Sequence, residues 1–524
     1  MSTGVNPSEH FAIHEVEQQD ETVATTALTA PSLLDSLRVS AGKGAATGDS
    51  RLDLFLREPS PARAIRLWLG ASADLDKEQL VRRLNREVAV LDQLLNQQLN
   101  AILHQAAFQQ LEASWRGLHY LVERVDEEGQ RNIKIRVLNA SWRELDRDFE
   151  RAIEFDQSHM FRKIYEDEFG QPGGEPYSVL LGDFEIRPRP APGHPHDDLA
   201  LLASFAQVAA AAFCPFVAAA SPSMFGLDNF GGLEYQLDHA QTLQSLDYLK
   251  WNALRKTEDA RFVGLALPRV LMRLPYEDDG TRVDRFCFRE EVSGPDRSKY
   301  LWGNAAYAFG GVLIRAFAET GWLADIRGVQ QDVEGGGLVT ELAAHSFGTD
   351  KRGVALKAST DVVVTDVLER DLNQLGFLPL CDCQGTEFSA FYSSPSIQQP
   401  RKYDRAAATA NARLSAMLPY VLCVSRFAHY LKVLGRDRTG AFSEPGELEQ
   451  FLQSWIMRYV TSDSEASPEV KAKFPLREAK VEVRADPGKP GSYQCVMHLT
   501  PHYALDELAA TVRLATELSP PRGA

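Results

Sequence analysis

Residues 197–220 run DDLALLASFAQVAAAAFCPFVAAA, and the fold class turns on how this stretch is understood. From Leu199 to Ala220 it is almost uncharged and long enough on paper to cross a hydrocarbon layer of about 30 Å. Its composition argues against a membrane span. Alanine dominates and barely favours lipid, Ser204 and Gln207 interrupt the run, and Pro215 stands where its missing N–H and its ring break a helix. Asp197 and Asp198 supply a helix start, and Phe216 to Ala220 reads as a buried strand after it. The expectation is therefore helix, break, strand, with no membrane insertion.

The same alternation continues on either side. Ile133 to Leu138, Ser178 to Leu181, Val263 to Leu267 and Val362 to Thr365 read as strands, while Trp142 to Ile153 and Ala305 to Glu319 carry helical patterns. Residues 131–400 are thus expected to form a mixed α/β body, and the fold class is α/β. No tandem repeat is visible.

Upstream, Asp74 to about Val125 follows one long helical pattern. Leu84, Val88, Leu91, Leu95, Leu99 and Ile102 recur at spacings of four, three, four, four and three. Such a stripe needs a partner helix, either from this chain or from a second polypeptide. Residues 61–130 are assigned to this helical segment. Residues 1–60, rich in Ser, Thr, Ala and Gly and including the Gly-Ala stretch 41–48, are assigned to a flexible arm. Within the arm, Leu33, Leu34, Leu37 and Val39 are compatible with a short amphipathic turn.

Residues 401–524 form a third part. Residues 411–434 look helical with a break at Pro419. Gly446 to Val460 forms a second helix with Leu448, Phe451, Leu452, Trp455, Ile456 and Tyr459 on one face. Glu447, Glu449, Gln450, Gln453 and Arg458 make its polar side. Strict alternation over Lys480 to Arg484 and Tyr493 to Thr500, around the turn-rich Asp486 to Ser492, predicts a hairpin. Thr511 to Leu518 is a further strand or a helix end.

The 524 residues are 44% apolar, enough for one large core or two to three smaller ones. With 56 Lys plus Arg against 72 Asp plus Glu, the net charge of -16 disfavours nucleic acid as a partner. Residues 1–30 are polar and acidic, which points to a cytoplasmic protein. The six cysteines are scattered apart from Cys381-Asp382-Cys383, so no disulfide or zinc framework follows.

No catalytic constellation emerges. Gly42-Lys43-Gly44 lacks the full phosphate-loop pattern, Gly335-Gly336-Gly337 reads as a tight turn before Leu338, and His194-Pro195-His196 lies in a Pro-rich loop. Neither a nucleophile elbow nor a His-Glu-x-x-His helix is present. Catalytic residues, cofactors and metals are all expected to be absent.

Several long blocks carry a resemblance instead. They are Leu111 to Leu121 (LEASWRGLHYL), Phe169 to Tyr177 (FGQPGGEPY), Lys299 to Tyr307 (KYLWGNAAY), Lys402-Tyr403-Asp404, Asn411 to Ser415, Ser425 to Lys432 (SRFAHYLK) and Pro475 to Ala479. In wording and order they resemble the large subunit of the type VI secretion contractile sheath, the TssC or VipB family, from about residue 75 to the end. From the residues alone, Trp115 and Trp302 are expected in the core and Gly173-Gly174 in a turn.

The resemblance implies a structural protein without an active site. It implies a heterodimer with a small sheath subunit (TssB/VipA-like) that self-assembles helically around an inner Hcp-like tube and contracts to drive the tube outward. Baseplate components and a recycling AAA+ ATPase, acting mainly through the small subunit, are the further partners implied. A baseplate or other phage-tail-like sheath component is the alternative. Three surfaces are then expected to act. Val481, Glu482, Val483, Arg484 and Tyr493, Gln494, Cys495, Val496, Met497, His498, Leu499 would form a β-sheet shared between subunits. Glu447, Glu449, Gln450, Gln453 and Arg458 would face the tube, and the stripe from Leu84 to Ile102 would meet the small subunit.

Overall fold

A computed structural model describes residues 51–69, 76–127, 132–171, 173–235, 238–281, 286–292, 297–329, 335–347, 357–383, 386, 388–437, 445–463, 465–485, 493–502 and 512–518. Residues 1–50, with the Leu33 to Val39 stretch and Gly42-Lys43-Gly44, lie outside this set, as do residues 486–492, where the sequence led us to expect a turn. The chain divides into two compact units, one of residues 1–103 with 276–290 and the other of residues 104–275 with 291–524.

In the first unit, Arg51–Arg57 and Pro61–Leu69 are helical. Arg51–Arg57 thus makes a helix of residues that the sequence assigned to the 1–60 arm. Phe55 and Trp68 explain why, since their rings pack 5.1 Å apart and give these two short helices an apolar contact. Helix α1 follows at Lys77–Leu103. The single long helix expected over Asp74 to Val125 is in fact two, because the pattern stops at His104 and Gln105 and helix α2, in the second unit, restarts at Ala106–Glu127. No glycine or proline marks the break.

In the second unit, helix α3 (Trp142–Arg151) starts on a capping box, Ser141 accepting from the Glu144 N–H while the Glu144 carboxylate accepts from the Ser141 N–H. Strand β1 (Leu180–Ile186) then leads to residues 197–220. Helix α4 (Asp198–Ala212) begins where Asp197 accepts from the Ala200 N–H. It ends with Phe213 in the left-handed region at φ 51°, ahead of Pro215. Strand β2 is Phe216–Ala220, buried throughout. Among the described residues no helix is long and apolar enough to cross a membrane.

Strand β3 (Val263–Leu267), helix α5 (Ala305–Thr320), helix α6 (Asp366–Gln374) and strand β4 (Leu378–Pro379) also belong to the body, beside smaller sheets and short helices. The four strands form a parallel sheet in the order β1-β2-β3-β4. Parallel sheets are covered on both faces, so their strands are apolar throughout instead of alternating. Here Phe216, Ala218, Ala220, Val263, Leu265 and Leu267 pack with α4 and with Leu368 and Leu372 of α6. Val217 and Ala266 point the other way, onto Phe309, Val312 and Leu313 of α5. The mixed α/β class is what the chain adopts.

Two expected strands are not strands. Val362 to Thr365 is a buried loop, with Val362 and Val364 in the core and Thr365 capping α6 through the Leu368 N–H. Ile133 to Leu138 belongs to an exposed extended segment, residues 132–140, whose backbone makes no hydrogen bond to any other described segment. Its alternation is real: Ile135 and Val137 are exposed, whereas Lys134 and Arg136 are held by Glu175 and Glu168.

The C-terminal part has helices α7 (Ala406–Ser415), α8 (Leu418–Asp437) and α9 (Pro445–Ile456). The break expected at Pro419 falls just before it, at residues 416 and 417. Pro419 is the second residue of α8, where a missing N–H leaves no hydrogen bond unmade. Strands β5 (Leu476–Ala485), β6 (Tyr493–Pro501) and β7 (Val512–Leu518) form an antiparallel sheet in that order.

Candidate assembly interface

The family-like blocks have structural roles that the packing explains. On α2, a Cβ at Gly117 would lie 2.4 Å from the Tyr307 ring, so this glycine lets α2 and α5 approach closely. Glu112 binds Arg116 and the buried Arg273, each at 2.8 Å, and these guanidinium partners outweigh burial to hold its carboxyl below the usual range. Asn304 caps α5 through the Ala306 N–H and donates to the Gly182 carbonyl of β1. Gly173 turns at φ 84°, and a Cβ on Gly174 would strike the Glu168 carbonyl, which bears out the expected turn. Gly336 likewise turns at φ 60° ahead of Leu338.

The block on α8 is an interior. Phe427 is fully buried, and Arg426 lies 4.5 Å from the centre of the Phe317 ring. His429 is bonded through Nε2 to the Ala212 carbonyl at 3.0 Å, and burial lowers its pKa to about 4. The Lys432 ammonium sits among the rings of Tyr165, Phe169 and Phe213, and burial brings its pKa down to about 8.

Among the described residues, His194 is bonded to Asp198 at 2.7 Å and His196 to Asp146 at 2.9 Å, and no group of three or more metal-ligating side chains converges. Asp198, expected to start a helix, is also a buried tie point that accepts from the Trp142 indole N–H and the Arg187 backbone N–H.

The three expected surfaces differ in character. No residue of α1 is buried. Val88, Leu95 and Ile102 are 53%, 39% and 43% exposed, and Leu84, Leu91 and Leu99 are half-buried. A second uncovered stripe was missed. Trp115, expected in the core, is 65% exposed and shares one face of α2 with Leu111 and Val122. The spacing Leu111, Trp115, Val122 was the available signal. Trp302 is half-buried, against Tyr300 and Phe347.

The hairpin of β5 and β6 pairs Val481 with Met497 and Val483 with Cys495. Val481, Val483, Cys495, Met497 and Leu499 point inward onto Val424, Phe427 and Leu431 of α8 and onto Leu448, Leu452 and Ile456 of α9. Glu482, Arg484, Gln494, Val496 and His498 occupy the opposite face, where Lys480 and Arg484 flank Glu482 at 3.0 and 3.2 Å. The Lys480 ammonium holds the Glu482 carboxyl below the ordinary range. Strand β7 pairs with β6 on its other side, Cys495 with Thr516 and Met497 with Leu514.

The polar side of α9 is divided. Glu447 and Gln450 are exposed, and so is Arg458, which lies beyond α9 in the 3-10 turn Met457–Tyr459 that replaces the last part of the helix expected to reach Val460. Glu449 and Gln453 turn toward the sheet: Glu449 Oε2 accepts from the Val483 N–H at 2.9 Å and Gln453 Oε1 from the Val481 N–H at 2.8 Å. Two of the five side chains expected at the tube are thus engaged within the chain. Sequence periodicity reports which side of a helix is polar and carries no information on what that side meets.

Comparison with known proteins agrees with the blocks. The chain matches the profile of the VipB (EvpB-type) tail sheath N-terminal domain over residues 85–398. It matches the VipB tail sheath gpW/gp25-like domain over residues 407–518. A protein of Pseudomonas aeruginosa PAO1, "Type VI secretion system sheath protein TssC1", is 42% identical over 441 residues, 84% of this chain and 86% of its own length. With uncovered apolar helices, a sheet at one end and both sheath profiles along its length, the chain belongs to the TssC/VipB family of type VI secretion sheath subunits, a structural family and not a family of enzymes.

Proposed function

We propose that this chain pairs with a small, TssB/VipA-like subunit in the bacterial cytoplasm and polymerises helically around an Hcp-like tube. Contraction of the resulting sleeve propels the tube and its effectors, and a AAA+ ATPase, acting mainly through the small subunit, recycles the contracted form. The observation that carries the reading is α1, a helix of 27 residues with none buried and an apolar stripe along its length. An amphipathic helix draws its stability from covering that stripe. A second chain supplies the cover, and the small subunit is the partner assigned to Leu84, Val88, Leu91, Leu95, Leu99 and Ile102.

The C-terminal sheet is the joint between subunits. Contraction requires bodies to rotate while staying connected, and main-chain strand addition survives when side-chain contacts are remade. Glu447 and Gln450 of α9, with Arg458 in the turn after it, contact the tube through a polar, wet interface that permits release. The test is coexpression with the neighbouring small-subunit gene, followed by negative-stain imaging. Long cog-like tubes support the reading, whereas discs or small complexes support a baseplate role.

A further inference from the structure

An antiparallel three-stranded sheet has two edges at which a neighbour's strand can add, here the outer sides of β5 and β7. The outer side of β5 is occupied. The backbone N–H groups of Val481 and Val483 donate to Gln453 Oε1 and Glu449 Oε2, while Gln453 Nε2 donates to the Ala479 carbonyl at 3.1 Å. Gln453 therefore offers β5 one acceptor and one donor, as a peptide unit of an adjacent strand would. The spacing makes this possible. Four residues of helix rise about 6 Å and two residues of strand about 6.8 Å, so side chains at i and i+4 fall opposite successive outward N–H groups. Two leucines of the same helix, Leu448 and Leu452, anchor it in the core beneath the sheet. The described residues place no strand on the outer side of β7.

We infer that α9 is an edge cap: Glu449 and Gln453 close β5 against strand addition, so that the sheet accepts a neighbour's strand on the β7 side alone. This rests on the reading of the sheet as the inter-subunit joint and adds a direction to it. A sheet open at both edges grows either way, and a lattice subunit with one closed edge has a single receiving side. Glu449 and Gln453 are on this account positioning residues for assembly, while Glu447, Gln450 and Arg458 stay available to solvent or tube.

Hydrogen–deuterium exchange on the full chain tests it, comparing the soluble fraction of the chain expressed alone with tubes from coexpression with the small subunit. The expected result is that peptides within 476–485 are equally protected in both, while peptides covering 512–518 slow at least tenfold in tubes. Slowing in 476–485, with or without 512–518, overturns the cap and leaves the joint standing. No change in either peptide overturns the cap and the joint together. The double variant Glu449→Leu with Gln453→Leu should give irregular aggregates in place of uniform tubes and faster exchange at 476–485, whereas Glu449→Gln, which keeps an acceptor, should form normal tubes. Normal tubes from the double leucine variant would overturn the cap.

Discussion

Helices α1 and α5 show two uses of apolar sequence. In α5, eleven of sixteen residues are buried, including Phe309 and both Gly310 and Gly311, and the helix fills one face of the parallel sheet. In α1, twenty-seven residues bury none. The first is apolar nearly all round, as a helix inside a three-layer body must be; the second gathers most of its large apolar residues on one stripe, with Val90 outside it. On the proposed function, the contrast separates residues that build the subunit from residues left over for assembly. It predicts that the same kind of substitution has opposite consequences in the two places.

The largest effect on stability is expected in α5. Phe309 is fully buried and meets Phe391 edge-on with ring centres 5.2 Å apart. Phe309→Ala should cost about 3–5 kcal/mol through lost burial and the cavity left behind. Denaturant unfolding or soluble yield reports it. A loss under about 1 kcal/mol would break the distinction from the α5 side.

Smaller, and opposite in sign, is the effect of a charge the body buries. Asp361 has its pKa pushed up to about 7, burial being the main cause, with Arg269 and Arg297 pulling it back and Glu185 adding to the rise. In the unfolded chain this carboxyl ionises near 4. Between about pH 4 and 7 the folded state therefore holds a proton that the unfolded state has released, so its contribution to stability falls as pH rises and the loss is complete above about 7. Three pKa units set a ceiling of about 4 kcal/mol. Asp361→Asn, a stand-in for the neutral form, should raise the Tm at pH 8 and have a shrinking effect toward pH 4. A pH-independent difference would refute this account.

These cases also show what was legible in the sequence. The helix, break and strand of residues 197–220 were readable because proline and paired aspartates act locally, and the hairpin was readable because alternation survives when one face is buried. The partner of a segment is a different kind of information. Residues 132–140 alternate as a strand does, yet nothing in alternation says whether a partner strand lies in the same chain. Trp115 looked like core because tryptophan usually is, and its exposure depends on how α2 sits on α5. The engagement of Glu449 and Gln453 with β5 needs two elements brought together from about 30 residues apart, which helix periodicity cannot report.

The stripe of α1 offers the sharpest test of the comparison. Val88→Lys with Leu95→Lys replaces two exposed apolar side chains, so the stability of the chain itself should change by no more than about 0.5 kcal/mol for each site. Two ammonium groups placed in a partner-facing seam should nevertheless abolish copurification with the small subunit and the formation of tubes. Unfolding of the chain to the extent expected for Phe309→Ala would show that α1 is a core helix after all.

The smallest effect is expected on α9. Glu447 and Gln450 on α9 and Arg458 in the turn after it are exposed, so Glu447→Lys with Arg458→Glu should leave stability within about 0.5 kcal/mol of the parent and leave the sheet untouched. Sheath tubes should still form, because the surfaces assigned to the small subunit and to the strand joint are elsewhere. What should fall is recruitment of the inner tube, measured as the fraction of sheaths with a filled lumen in negative stain. The effect should weaken as salt rises, since exposed charges are screened within a Debye length of about 8 Å at physiological ionic strength. Filled lumens at the parent frequency in low salt would remove Glu447 and Arg458 from the tube interface and leave α9 with the edge of β5 as its place in assembly.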